Sequence, residues 1–168
     1  MKCLKDDADL KQRLDRLGDA ITAHVDAPNR GGCGLIAGCV GRALQKLDVL
    51  CEVVTPVEWG SEPAGAVRAN VTNPGSAKDW DRNGLSRSHL AVRFRYGGAS
   101  YCWDSDGLYD GGAKFGRYST TAEFGDGLTV SECVKISSRQ AGWSRHFDRR
   151  QIPLIKHLVQ HHLLYGLE

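Results

Sequence analysis

The chain reads as an α+β domain, with a central, largely buried helix and an antiparallel β-hairpin. Three observations predict this. Leu10, Leu14, Leu17 and Ile21 recur in steps of four, three and four, which marks one face of a helix over residues 5–25. Leu35, Ile36, Cys39, Val40, Ala43, Leu44 and Leu47 form a broad apolar face with no charge before Arg42, as a buried helix requires. Residues 89–104 alternate in polarity on both sides of Gly97-Gly98, the signature of a β-hairpin.

The other elements follow in order. Asp26-Ala27-Pro28-Asn29-Arg30-Gly31-Gly32 breaks the first helix and leads to the second. Residues 51–57 and 66–72 read as short strands, with Asn73-Pro74-Gly75 as a turn. The polar 78–88 segment reads as a loop or short helix. In the hairpin, Leu90, Val92, Phe94 and Tyr96 alternate with Ala91, Arg93 and Arg95. With the two glycines as its turn, Tyr96 pairs with Ala99 and Ala91 with Asp104, so His89 and Asp104 share a face, one diagonal step apart. Trp103 then points to the other face, into the core. Residues 106–116 read as a Gly- and Asp-rich loop and 128–136 as a last strand. Residues 150–165 read as a helix with Pro153 near its start and Ile152, Ile155, Leu158, Val159 and Leu163 on its apolar face.

At 168 residues the chain is of single-domain length, spanning 1–168, with 41% apolar and 25% charged residues. A net charge of +2, with only a small cluster at Arg145, Arg149 and Arg150, argues against nucleic acid as a partner. No apolar run approaches the roughly 18 residues of a membrane span. The first seven residues carry no apolar core of the signal-peptide kind. The expectation is a cytoplasmic protein with no membrane partner. Its six cysteines are then reduced thiols, mostly small buried hydrophobes. No Cys-x-x-Cys pair points to zinc. The acidic run from Asp104 to Asp110 does not have EF-hand spacing. His157, His161 and His162 read as a solvated helix end. The four tryptophans read as core or rim. No metal and no cofactor is expected.

Cys33, His89 and Asp104 are the candidate catalytic residues. Cys33 follows Gly31-Gly32 at a predicted helix start, where partial positive charge and unpaired N–H groups favour a thiolate. His89 opens one strand of the hairpin and Asp104 closes the next. That ordering suits a thiol nucleophile, a base that touches it and an acid that orients the base. Gly31 and Gly32 let the backbone pass close to a substrate. The Cys33 N–H is a natural oxyanion donor, with Asn29 or Asn70 as the second. Asp106 is the alternative acid, directly across from His89 if the hairpin register continues. Each element alone also reads structurally: Gly-Gly-Cys-Gly as a tight turn, a strand-opening His as a surface residue. Their combination points to chemistry.

Residues 29–106, and 89–104 above all, resemble the transglutaminase-like and papain-like cysteine hydrolases. In the chain's pattern a His, an alternating strand, a Gly turn and a second strand lead to an Asp fifteen residues after the His. The resemblance implies a nucleophile-bearing helix on an antiparallel sheet, with Cys33 as nucleophile, His89 as base and acid, and Asp104 as the orienting carboxylate. It implies a peptidase, amidase or deamidase that forms a thioester at Cys33 on a protein or peptide substrate. Arg30-Gly31-Gly32-Cys33 is also similar to the arylamine N-acetyltransferase motif, which has one more residue before its Cys. Two alternatives therefore stand: an amine-directed acyltransferase, of transglutaminase or N-acetyltransferase type, and a catalytically silent protein-binding domain of the same fold.

Overall fold

A computed structural model describes residues 4, 6–54, 56–57, 90–110, 123–124, 129–138 and 146–165. Helix α1, Asp7–His24, begins where the Asp6 side chain accepts the Asp9 N–H at 2.9 Å, an N-cap that satisfies an otherwise orphaned donor. Leu10, Leu14, Leu17 and Ile21 are its buried face, as their spacing predicts. Helix α2, Cys33–Lys46, buries Ile36, Val40, Ala43 and Leu44 and lies at the centre of the core.

Strands β1 (Cys51–Val54), β3 (Ala91–Tyr96), β4 (Ala99–Asp104) and β5 (Gly107–Asp110) make an antiparallel sheet in the order β1-β3-β4-β5. The single strand expected over 51–57 is instead divided. Residues Pro56–Val57 form β2, which pairs with β6, Glu123–Phe124, in a separate two-stranded sheet. The hairpin register agrees with the sequence reading: Tyr96 is opposite Ala99 and Val92 opposite Trp103. Gly97 and Gly98 have φ of 56° and 81°, the doubly positive turn that only glycine enters at little cost.

The two faces of this sheet differ. Val53, Val92, Phe94, Tyr101 and Trp103 join α1 and α2 in one core cluster. Trp103 is 0% exposed and its indole N–H donates to the Leu14 carbonyl of α1 at 3.0 Å. Val54, Ala91 and Cys102 form a second buried cluster on the opposite face. The architecture is thus mixed α+β, with both helices on one side of an antiparallel sheet.

Residues 128–136 do not form the expected strand. Val130–Ser138 is helix α3, packed on α2. Gly38 and Gly41 allow this approach: a Cβ on them would lie 2.8 Å and 2.6 Å from methyls of Val134 and Val130. The Cys133 thiol donates to the Gly34 carbonyl at 3.3 Å, so the space beside Gly34 is filled by α3. The C-terminal helix expected over 150–165 is present in three windings. A 3₁₀ turn, Arg149–Gln151, enters α4, Ile152–Val159, and the chain widens to a π turn over Gln160–Leu164. Arg13 of α1 donates to the Tyr165 and His162 carbonyls at 2.8 and 3.3 Å, which satisfies acceptors that the end of this helix leaves open. The strand expected over 66–72 and the loop expected over 78–88 lie outside the described residues.

Candidate functional site

Cys33 is the first residue of α2 and is 6% exposed. Gly31 precedes it with φ of 81°, and Gly32 is the N-cap. A Cβ on Gly32 would sit 2.4 Å from the Pro28 carbonyl and 2.5 Å from the Phe147 ring. The 28–32 loop therefore closes on the helix start at a distance that only glycine permits. Because backbone lies on one side, Gly32→Ala cannot be relieved by a side-chain rotation alone. We expect it to cost roughly 1–3 kcal/mol, read as a lower urea midpoint with an unchanged slope.

Asp104 ends β4 and is 3% exposed. Its Oδ1 accepts the Asp106 N–H at 2.8 Å, a local bond of the kind that reverses the chain. The hairpin register therefore does not continue through Asp106, the condition on which Asp106 is the alternative acid. Ser105 and Asp106 form a turn into β5, with Asp104 paired to Gly107. The segment from 106 begins as this turn and β5, and residues 111–116 lie outside the described residues.

The turn is held from two sides. Thr22 of α1 donates its hydroxyl to the Ser105 carbonyl at 3.2 Å. Asn29 accepts the Ser105 hydroxyl at 3.0 Å and donates its amide to Asp106 at 3.2 Å. Asn29 was expected as an oxyanion donor; here its amide N–H is engaged by the Asp106 carboxylate. It joins the loop before Cys33 to the turn after Asp104. Ser105, Thr22 and Phe147 were not singled out from sequence, because contacts across 76 or more residues leave no local pattern.

The Asn29 bonds bring the loop before Cys33 to the turn after Asp104, while Cys33 itself belongs to the core cluster on the helix side of the sheet. Asp104 alternates with Trp103 and shares the face of Cys102, whose thiol its charge helps to raise. His89 and Asn70 lie outside the described residues.

The five described cysteines are free thiols. Burial pushes Cys51 up to about 11, with the Glu52 charge adding to it. It pushes Cys102 and Cys133 to about 12, although Arg93 and a Ser137 hydrogen bond respectively act the other way. Those three are poor nucleophiles at neutral pH. Among the described residues no cluster of His, Cys, Asp or Glu is arranged to hold a metal, and no helix is long and apolar enough to cross a membrane.

Comparison with protein-family models, with curated proteins and with solved structures finds no match to this chain.

Proposed function

We propose that this protein is a cysteine hydrolase of papain-like or transglutaminase-like architecture, acting on an amide bond of a protein or peptide through a thioester at Cys33. His89 takes the thiol proton as the sulfur attacks the carbonyl carbon and returns it to the departing amine. Water then attacks the thioester, with His89 as base, and restores the thiol. Asp104 holds the imidazole in its tautomer. The observation that carries this reading is the Asn29 clamp, which ties the loop before Cys33 to the turn after Asp104.

The test uses p-nitrophenyl acetate, a generic acyl donor, with peptide mass spectrometry of the quenched protein. The expected result is one acetyl group on Cys33 and release of one p-nitrophenolate. Acetylation spread over several cysteines, or none at Cys33, would sink the reading.

Asp104→Asn keeps an oxygen able to accept the Asp106 N–H, so the turn should persist. Deacylation should nevertheless fall on the order of 10³-fold, as when a triad acid no longer fixes its histidine. Asp106→Asn should be much milder. Equal losses in the two variants, followed as the decay of the acetylated protein, would count against Asp104 as the acid.

A further inference from the structure

A cavity lies between α2, α3 and α4, around Cys39. It has a volume of about 170 Å³, close to the roughly 150 Å³ of a protein cavity known to hold a benzene ring. Leu35, Val134 and Ile155 give it apolar walls, and Arg42 and Lys156 stand at its edge. Among the described residues no carboxylate lines it. Arg149 also reaches it, but its guanidinium already donates to the Ser137 and Ser138 carbonyls at 3.1 and 3.3 Å at the end of α3. That leaves Arg42 and Lys156, neither of which pairs with a carboxylate among the described residues. Their field reaches the cavity: burial pushes the Cys39 thiol up, while Lys156 and Arg42 pull against that effect.

We infer that this cavity binds a small organic carboxylate whose body is a single ring or a short branched chain. The apolar part fits the space between Leu35 and Ile155, and burying it supplies the non-directional attraction. The carboxylate fits the edge, where two cations can hydrogen-bond it with charge assistance. Neutral ligands of the same shape would lose that second contribution, and cationic ones would be repelled. The inference does not depend on acyl chemistry at Cys33 and would survive its failure.

Benzoate and benzyl alcohol share a ring and differ in charge, and Cys39 is a reporter inside the cavity. The full chain is labelled with N-ethylmaleimide at mildly alkaline pH with either compound present at millimolar concentration. The ratio of Cys39 to Cys51 adducts is read by mass spectrometry. Benzoate should slow Cys39 labelling and leave Cys51 unchanged, and benzyl alcohol should protect far less. The double variant R42Q/K156Q changes two exposed side chains and should fold. It should bind benzoate about tenfold more weakly, a change of about 1.4 kcal/mol, with binding of benzyl alcohol unaltered. Saturation transfer from protein to benzoate gives a second reading if Cys39 reacts slowly. No transfer and no protection with the wild-type chain would overturn the inference. So would equal protection by the two compounds, or benzoate binding that the double variant leaves intact.

Discussion

Cys33→Ala is expected to reduce turnover of an activated ester by on the order of 10⁵–10⁶-fold, and His89→Ala by nearly as much. The double variant should be little worse than either. A nucleophile and its base lower one barrier together, so once either is gone the other has nothing left to contribute. The residual rate would come from binding and from backbone donors at the start of α2. Additive losses would instead mean that the two side chains act in different steps. His146→Ala provides the control, because His146 sits beside the Phe147 that packs over Gly32. If that imidazole were the base, its removal would cause the large loss and His89→Ala would not. Each variant should keep the wild-type circular dichroism spectrum, so that lost turnover is not mistaken for lost structure.

The clearest sequence signals were those in which local chemistry and long-range packing agree. The spacing of Leu10, Leu14, Leu17 and Ile21 anticipates the buried face of α1, because an amphipathic helix has one way to face a core. Gly97-Gly98 anticipates the hairpin and its register, because two successive positive φ angles exclude most other residues. The start of α2 at Cys33 was legible from the glycines before it. Helix α3 was missed although Thr129-x-x-Glu132 has capping-box spacing and Val130, Cys133, Val134 and Ser137 have helical spacing. Val130, Val134 and Ile136 are β-branched, so propensity favours a strand where the period favours the helix. Asp104-Ser105-Asp106-Gly107 carries a turn signal, in keeping with the loop read from residue 106, although the chain re-enters the sheet at once as β5.

What was not legible is what positions the candidate site. The clamp made by Asn29 joins residues 76 and 77 positions apart, and nothing local to Asn29 distinguishes it from an oxyanion donor. The division of 51–57 between two sheets depends on a partner strand of two residues, Glu123–Phe124, too short to show a period. The cavity at Cys39 needs three helices at once, one of them misread as a strand. The types and spacing of the candidate residues are thus more legible in the sequence than the contacts around them.

Trp103 ties the sheet to α1. It lies directly before Asp104 in β4, opposite Val92, fully buried against α1. Removing the indole would leave a cavity between sheet and helix that neither can collapse to fill, since Leu14 and Leu17 are themselves fully buried. Trp103→Ala should therefore destabilise the protein by about 3–5 kcal/mol, a large part of the 5–15 kcal/mol that holds a typical domain together. For a chain of this size the melting temperature should fall by roughly 6–20 °C. Trp103→Phe separates two contributions. It restores most of the volume but leaves the Leu14 carbonyl without its 3.0 Å donor, a loss nearer to 0.5–1.5 kcal/mol in addition to any repacking cost. If Trp103→Ala melted within a degree or two of the wild type, the sheet would not depend on α1 as the geometry requires. The chemistry should follow the same order. At temperatures where both variants remain folded, Trp103→Ala should lose more turnover than Trp103→Phe, because the strand that ends in Asp104 is anchored through this ring.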